Sequence, residues 1–217
     1  MSPRAPLRVL VSAGPTREWV DPVRFLSNAS SGKMGFAIAA EAARRGCAVT
    51  LVAGPVALET PAGVRRIDVE SAREMLAVLR REFRRADALF MAAAVADFRP
   101  VACADGKIKK DEGVPNIVLE PTPDILCALA STKRPGQTVV GFAAETSDLV
   151  ANAESKLARK NLDMIVANDV SQPGVGFQHD TNAVTFLRPG QALESVALTD
   201  KRAIARELID RVVSARS

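Results

Sequence analysis

The chain has 217 residues, 47% of them hydrophobic and 25% charged, and 29 basic against 25 acidic residues give a formal net charge of +4. This balance is that of a globular protein with a buried core, and it excludes an intrinsically disordered chain. There is no tyrosine and only one histidine, so a Tyr acid, a serine triad or a His-rich metal site is nearly excluded.

Cysteine use and hydropathy indicate the compartment. Cys47, Cys103 and Cys127 are widely spaced and form no CxxC pair, so we predict reduced thiols and neither a disulfide nor a zinc site. No apolar run approaches the roughly 18 residues that a membrane span needs, and the first residues lack a secretory signal pattern. We therefore expect a cytoplasmic protein without membrane attachment. The single histidine, His179, lies in a turn-rich segment and is expected to be structural or exposed.

Apolar and β-branched runs alternate with helical patterns along the whole chain. The pattern predicts strands at Leu7–Ala13, Ala48–Ala53, Val64–Val69, Ala88–Val95, Asn116–Glu120, Thr138–Phe142 and Asp163–Ala167. It predicts helices at Met34–Arg45, from Ser71 to about Arg85, at Pro123–Ser131, at Asp148–Lys160 and near Lys201–Val213. A small β-hairpin is expected from Ala183–Leu187 and Ser195–Leu198. Together these elements predict an α/β fold, a doubly wound, mostly parallel sheet with helices on both faces.

One edge of such a sheet is the expected ligand site, because these folds bind ligands at the carboxyl ends of their strands. Five strand ends should surround one crevice, those at Ala13, Ala53, Val95, Phe142 and Ala167. A polar, Gly- and Pro-marked segment, Asp97–Pro115, interrupts the alternation and is too long for an ordinary connection. We predict a flexible flap at about residues 97–115 in a single domain that spans 1–217.

The first candidate site is Ser27–Gly35 (SNASSGKMG), directly before a predicted helix. Small residues, exposed amides and a lysine at a helix start suit a phosphate, and a plain Ser-rich capping loop is an equally good interpretation. The spacing is neither that of a Walker loop nor that of a dinucleotide-binding turn.

The second candidate is AAAVADFRP at the end of the fourth predicted strand. Ala92, Ala93 and Ala94 leave room for a ligand against the backbone, and Asp97 stands where ligand-facing carboxylates commonly occur. Tight helix-to-sheet packing and a turn aspartate explain the same residues equally well.

Lysines supply the remaining candidates. The KIKK run that begins at Lys107 is ordinarily a solvated charge run, but a lysine on a flexible loop also suits closure over a polyphosphate. Lys156 and Lys160 share one face of a predicted helix, and the ordinary interpretation of this pattern is a solvent-exposed face. Phe142, at a strand end, could cover a planar base.

Seven motifs occur in a specific order over nearly the whole chain, from about Val9 to Val213. They are GPTREWVDPVRFLSNASSGKMGFAIA, AAAVADFRP, KIKK, PTPDIL, VGFAAET, the K-x-x-x-K pair and LDMIVANDVSQPGVGF. In this order they resemble the bacterial phosphopantothenoylcysteine synthetase family. The resemblance implies a Rossmann-like homodimer that joins 4'-phosphopantothenate to L-cysteine. CTP would activate the carboxylate as an acyl-cytidylate with loss of pyrophosphate, and cysteine would then displace CMP.

The resemblance also implies roles for individual residues. Lys107 matches the lysine that acts on the triphosphate, and Asn28 matches the asparagine that turns over the acyl-cytidylate, where its amide could donate to the carbonyl oxygen. The nucleotide-binding set comprises Met91, Ala92, Ala93, Asp97, Lys107, Pro123, Asp124, Ile125, Leu126, Phe142, Lys156 and Lys160. The phosphopantothenate side comprises Asn28, Ser30, Ser31, Gly32, Lys33 and Ala94. Mg²⁺ is the expected metal ion, with Asp97 as its candidate ligand.

Two other functions are weighed against this one. An NAD(P)-dependent reductase fits the fold class, but its short-chain form needs a tyrosine. A nucleotide-sensing or nucleic-acid-binding module fits the basic balance, but aromatics are only 4% of the chain, too few for stacking platforms, so no nucleic-acid partner is expected. In the related bifunctional proteins a flavin-dependent decarboxylase domain precedes this region, so the chain is either a stand-alone synthetase or one domain separated from that neighbour.

Overall fold

A computed structural model of the chain describes residues 5–145, 149–169, 176 and 179–213. The strands are β1 (Arg8–Ala13), β2 (Arg17–Asp21), β3 (Arg24–Ser27), β4 (Ala48–Ala53), β5 (Val64–Asp68), β6 (Ala88–Met91), β7 (Phe98–Pro100), β8 (Leu119–Pro121), β9 (Thr138–Glu145), β10 (Met164–Asp169), β11 (Thr181–Leu187) and β12 (Glu194–Asp200). The helices are α1 (Lys33–Arg44), α2 (Ala72–Phe83), α3 (Ile125–Ala130), α4 (Leu149–Arg159) and α5 (Lys201–Val213), with one 3₁₀ turn at Lys110–Glu112.

Eight strands form the main sheet in the order β12-β11-β10-β9-β6-β1-β4-β5. Six neighbouring strands of this sheet are parallel, namely β10, β9, β6, β1, β4 and β5. Their order around β1 is that of the doubly wound dinucleotide-binding folds. The strand order reverses between β1 and β6. The predicted fold class is therefore confirmed, and the crevice outside the carboxyl ends of β1 and β6 is where such a sheet binds ligands.

Helices cover both faces of this sheet. On one face α1 and α5 pack over the sheet through side chains such as Ile38, Phe90 and Leu208. On the other face α2, α3 and α4 bury a second cluster that includes Met75, Leu129 and Ile165. The central strands are apolar on both sides for this reason, which is the pattern expected of a covered parallel sheet.

Local signals place most element boundaries. Ser71 caps α2 as predicted, since its hydroxyl accepts from the Glu74 amide while the Glu74 carboxylate reaches back to the Ser71 amide. The C-terminal hairpin is present as β11 and β12, and it continues the main sheet because β11 pairs antiparallel with β10. Asp148, the predicted start of α4, lies outside the described residues, as do residues 170–175 and 177 of the last motif.

A hairpin that the sequence analysis did not predict follows β1. Strands β2 and β3 pair antiparallel, and Trp19 packs edge-on against Phe25 with ring centroids 5.0 Å apart. The predicted flap also contains regular structure, because β7 pairs antiparallel with β8. The short strand predicted at Asn116–Glu120 thus lies at Leu119–Pro121, with its partner inside the flap range.

The fourth predicted strand is shorter than its apolar run. Strand β6 ends at Met91, whereas the run continues to Val95. After Met91 the chain turns across the end of β1, and Ala94 forms an isolated bridge with Pro15. Among the described residues, no helix has the length and apolar character that a bilayer span requires.

Candidate functional site

A cavity of about 520 Å³ lies at the switch point of the sheet. Its described lining residues come from the segment between β3 and the start of α1, from the end of β6 and the residues after it, from the residues after β8, and from single positions between β9 and the start of α5. They are Asn28, Ser30, Ser31, Gly32, Lys33, Met34, Met91, Ala92, Ala93, Ala94, Val95, Asp97, Thr122, Pro123, Asp124, Ile125, Leu126, Phe142, Lys156, Lys160, Asn168, Gly176, Asn182 and Lys201. Every site residue predicted from the sequence is among them except Lys107.

Two buried hydroxyl groups position the alanine segment that forms the cavity floor. Ser12 Oγ accepts a hydrogen bond from the Ala93 amide at 3.2 Å, and Thr16 Oγ1 accepts one from the Ala96 amide at 3.0 Å. Both side chains are fully buried. Because the segment leaves the sheet after Met91, its amides need these partners, and the small side chains keep its backbone close to the cavity.

Asn28 lies against the same segment. Its Nδ2 donates to the carbonyl oxygens of Ala94 at 3.1 Å and Val95 at 3.0 Å. A carbonyl oxygen can only accept a hydrogen bond, so the side-chain atom of Asn28 that contacts both carbonyls is assigned as the amide nitrogen. Both hydrogens of this nitrogen are then used. The predicted donation from Asn28 to a substrate carbonyl therefore requires one of these bonds to be exchanged, whereas the side-chain oxygen can accept without any exchange.

The start of α1 forms one end of the cavity. Gly32, the N-cap residue, precedes the helix with φ +77° and has no side chain with which to cap it. Gly35 brings the helix close to the sheet, since a Cβ there would lie 2.5 Å from the Cβ of Ala13. Lys33 Nζ lies 2.6 Å from Asp180 Oδ1. A helix N-terminus with a glycine N-cap and a lysine in its first turn suits an anionic group.

Asp124 and two lysines form the opposite end. Asp124 caps α3 by accepting from the Cys127 amide at 2.9 Å, and Lys160 Nζ lies 2.8 Å from its other oxygen. Burial raises the pKa of Asp124, but the hydrogen bonds from Lys160 and from the Cys127 amide outweigh this effect and hold the pKa below its usual value. Lys156 Nζ donates to the carbonyl of Phe142 at 2.9 Å. Both lysines are thus oriented by the protein itself.

Lys107 is exposed and does not line the cavity. It precedes Ile108, whose amide donates to Asp21 Oδ2 at 3.1 Å and whose carbonyl accepts from Arg24 at 2.8 Å. The chain next to Lys107 is therefore attached to the hairpin of β2 and β3. The structure does not bring Lys107 together with the other predicted residues, and its role stays a prediction.

Four polar lining residues were missed by the sequence analysis: Thr122, Asn168, Asn182 and Lys201. Thr122 Oγ1 donates to the Ala96 carbonyl at 2.5 Å. Asn168 lies one residue before the end of β10, the last parallel strand, where the ligand-edge rule could have identified it. Asn182 and Lys201 carry no such signal, because they belong to the antiparallel strands and helix that follow.

The cavity has few metal-binding groups. Within the part of the chain that the structure describes, no three His, Cys, Asp or Glu side chains come together as a metal site would require. Asp97 is exposed and lines the cavity. One carboxylate fits Mg²⁺, which usually keeps several waters and is bound through one or two carboxylates together with substrate phosphates.

The fold and the cavity define a doubly wound α/β protein with a ligand site at the strand-order reversal. Within that class, residues 5–215 match the family described as the DNA/pantothenate metabolism flavoprotein C-terminal domain, and the chain belongs to that family. The resemblance identified from the seven motifs is confirmed.

Curated relatives and a solved structure agree with this assignment. The chain is 51% identical over 201 residues to the coenzyme A biosynthesis bifunctional protein CoaBC of Vibrio cholerae, which covers 91% of the chain and 50% of that protein. It is 47% identical over 208 residues to a cysteine/cysteine sulfinic acid decarboxylase of an unknown prokaryotic organism, covering 95% of the chain and 58% of that protein. The crystal structure of the C-terminal domain of a CoaBC protein has a TM-score of 0.83 at 40% identity and covers 97% of this chain and 95% of that one. The chain spans about half the length of the curated relatives it matches.

Proposed function

We propose that the chain catalyses the CTP-dependent ligation of 4'-phosphopantothenate to L-cysteine in coenzyme A biosynthesis. The observation that carries the proposal is the cavity at the switch point, which gathers every predicted substrate and nucleotide residue except Lys107. The similarity to bifunctional coenzyme A biosynthesis proteins supports it. The chain spans 50% of the length of the Vibrio cholerae relative, and a decarboxylase domain is the neighbour that we propose for the chain.

The reaction has two steps. In the first, a carboxylate oxygen of phosphopantothenate attacks the α-phosphorus of CTP, and the bond from that phosphorus to pyrophosphate breaks. In the second, the cysteine amine attacks the acyl carbon, the bond to the CMP oxygen breaks, and the amine proton is lost. The first step brings negative charges together, and in the second the carbonyl oxygen becomes negative as the amine attacks. The protein's main contribution is therefore to orient the reactants and to offset these charges.

The residues divide between these tasks. Phe142, Asp124, Lys156 and Lys160 bind the nucleotide at one end of the cavity, and the segment Ser30–Lys33 binds phosphopantothenate at the other. Asn28 contacts the reacting carbonyl between them. Lys107 acts on the triphosphate after its loop closes. When bound, Mg²⁺ would be held by Asp97 and by phosphate oxygens and would reduce the repulsion between phosphate groups.

We propose a homodimer as well. The hairpin of β2 and β3 and the hairpin of β7 and β8 lie side by side, as shown by the hydrogen bond from the Ala104 amide to the Val20 carbonyl. They expose large apolar side chains at Val23, Phe25, Phe98, Val101, Val118 and Leu119. An apolar patch of this kind, on two neighbouring hairpins, is typical of a protein interface.

Product analysis tests the function. Purified protein with phosphopantothenate, CTP and Mg²⁺ should release pyrophosphate without cysteine, and added cysteine should give the amide product and CMP.

Asn28→Asp should accumulate the acyl-cytidylate, detected by mass spectrometry, because a carboxylate opposite the Ala94 and Val95 carbonyls repels them. Lys107→Gln should abolish cytidylate formation. Absence of both pyrophosphate and amide product with the parent protein overturns the proposal, and saturable binding of NADPH in its place would favour a reductase.

A further inference from the structure

Thr16 is fully buried and lies between the two segments on which the proposed second step depends. One segment carries Asn28, which contacts the reacting carbonyl in the proposed mechanism. The other comprises residues 92–96, most of which line the cavity. Both segments have left regular structure, since β3 ends at Ser27 and β6 ends at Met91. Their relative position is therefore set by individual hydrogen bonds and not by the ladder of a sheet.

Thr16 bonds to both segments at once. Its Oγ1 accepts from the Ala96 amide at 3.0 Å, and its carbonyl oxygen accepts from Ser27 Oγ at 2.7 Å. Ser27 directly precedes Asn28 in the chain. On the other side, Ala96 directly follows Val95, whose carbonyl accepts from Asn28 Nδ2 at 3.0 Å. One buried residue is thus bonded to a neighbour of each partner in this Asn28 contact.

The side chain of Asn28 depends on hydrogen bonds for its position, because the residue is exposed and lies in a stretch without helix or strand, residues 28–32. Its Nδ2 donates to the carbonyls of Ala94 and Val95. A shift of these carbonyls therefore moves the amide group as well. Such a shift matters for a reacting group, since a misplacement of about 1 Å can lower a rate on the order of 100-fold.

The Ala96 peptide is held on both of its sides. Thr16 accepts from its N–H, and Thr122 Oγ1 donates to its carbonyl at 2.5 Å. The Thr122 amide also donates to the Asp97 carbonyl at 2.9 Å. Ala96 is buried, with 6% of its surface exposed. Without the Thr16 hydroxyl its amide would lose its partner at a buried position, which is unfavourable enough to displace the segment.

Ser12 holds the earlier part of the same segment. Its Oγ accepts from the Ala93 amide at 3.2 Å and donates to Met91 Sδ at 3.1 Å. Met91 and Ala93 belong to the proposed nucleotide-binding set, whereas Ala94 belongs with Asn28 to the proposed phosphopantothenate side. The two buried hydroxyl groups therefore support different halves of the segment.

We infer that Thr16 is a positioning residue for the second step of the proposed reaction, in which cysteine displaces CMP. It does not line the cavity. It acts through its neighbours, because it sets the distance between Asn28 and the backbone against which the acyl group lies. Ser12 instead positions the part of that backbone that binds the nucleotide. The inference rests on the proposed function, since it assigns a task within that reaction.

Thr16→Val tests the inference, because it replaces the hydroxyl with a methyl group of similar size. A methyl group contacts a nitrogen at roughly 3.5 Å or more, against 3.0 Å for the present hydrogen bond to Ala96. The conversion of preformed acyl-cytidylate to amide, followed in a single turnover after cysteine is added, should slow about tenfold or more. The affinity for CTP, measured by calorimetry, should stay the same. Thr16→Ser keeps the hydroxyl and should recover most of the rate.

Three further variants separate positioning from loss of stability. Ser12→Ala should give the reverse pattern, with CTP binding weakened about fivefold and an unchanged rate from bound intermediate to amide. Ser27 is exposed, so Ser27→Ala tests the link even where Thr16→Val does not fold, and it should slow the second step about threefold. Thr132 Oγ1 also donates to a main-chain carbonyl, that of Leu129 just after α3, and Thr132→Val should match the parent throughout.

The side-chain amide signal of Asn28 in nitrogen–proton NMR spectra reports its position without any turnover, and its absence in Asn28→Asp assigns it. The signal should shift in Thr16→Val and return towards the parent position in Thr16→Ser. An unchanged second step in Thr16→Val and Ser27→Ala, an equal loss in both steps, or a Thr16→Ser as slow as Thr16→Val would overturn the inference.

The NMR measurement also separates this inference from the proposed function. A parent protein that forms no amide product overturns the proposed function and, with it, the assignment of Thr16 to the second step. A shifted Asn28 signal in Thr16→Val would then still establish that Thr16 positions Asn28, and an unshifted signal would overturn that link as well.

Discussion

Asp21 shows how one buried carboxylate organises the loop that carries Lys107. Its Oδ1 accepts from the amides of Val23 and Arg24, both at 2.9 Å, and its Oδ2 accepts from the Ile108 amide and the Arg24 guanidinium. The side chain is completely buried. The hydrogen bond from Arg24 is the main reason why the pKa of Asp21 lies far below its ordinary value.

Replacing this carboxylate gives a pH-dependent result. Asp21→Asn should lower the melting temperature at pH 7 by roughly 3 °C or more. A carboxyl with a depressed pKa stabilises the fold above its unfolded pKa of about 3.9 and loses that contribution as the pH falls towards the folded value. The difference between variant and parent should therefore shrink below about pH 4, as followed by thermal melts from pH 7 to pH 2.

Asp105→Asn, in the same loop and exposed, is the matched control and should melt like the parent at every pH. A difference between Asp21→Asn and the parent that stays constant down to pH 2 would contradict the assignment of the depressed pKa to Asp21.

At the scale of elements, the cavity depends on how closely β4 approaches the turn after β1. Gly54 follows β4 and donates its amide to the Ala13 carbonyl at 2.9 Å. A Cβ at this position would lie 1.7 Å from the Pro15 carbonyl oxygen, which is backbone and cannot rotate away. Pro15 in turn pairs with Ala94 of the cavity floor. The absence of one side-chain atom thus lets three segments meet.

Gly54→Ala should displace the turn at Pro15 and destabilise the protein by about 3 kcal/mol or more, since overpacking against backbone cannot be relieved by a rotamer change. Chemical denaturation measures the loss. Gly106→Ala is the control, because a Cβ at Gly106 meets nothing within 4 Å. Equal stability of the two variants would show that β4 and the Pro15 turn are further apart than described.

At the scale of the whole molecule, the two small hairpins form sheets of their own, whereas β12 is an edge strand of the main sheet. Phe98 on β7 is 54% exposed and belongs to the apolar patch of the hairpins, whereas Leu198 on β12 is 53% exposed. The two side chains are alike in exposure and differ in their surroundings. They therefore provide a matched pair for testing which surface forms the proposed dimer.

Phe98→Asp should convert a dimer into a monomer in light scattering coupled to gel filtration, because a charge in an apolar interface is desolvated without a partner. Leu198→Asp should leave the mass unchanged. A parent protein that elutes as a monomer, or a dimer that survives Phe98→Asp and dissociates with Leu198→Asp, would contradict the proposed interface.

Much of the fold and of the site could be predicted because the signals are local or shared by a fold class. Ser71 caps α2 through residues three positions apart, and the Ala92–Ala94 segment follows a strand whose apolar run is plain in the sequence. The strand-end rule then places such segments at one edge of the sheet. The hairpin of β2 and β3 was missed because it is short, and its turn depends on the side-chain bonds of Asp21.

The positions of Lys107 and Lys201 relative to the cavity could not be predicted from the sequence. The position of Lys107 depends on a bond between Ile108 and Asp21, which are far apart in the chain, and it lies outside the cavity. Lys201 begins a C-terminal helix in an ordinary amphipathic pattern, yet its ammonium group lies buried at the cavity. The sequence by itself determined the fold class, the family and the strand-end segments, because periodicity, capping and motif order are properties of neighbouring residues. Only the tertiary structure decided which charges meet at the cavity, because burial and pairing depend on segments brought together by the packing of α1, α5 and the sheet.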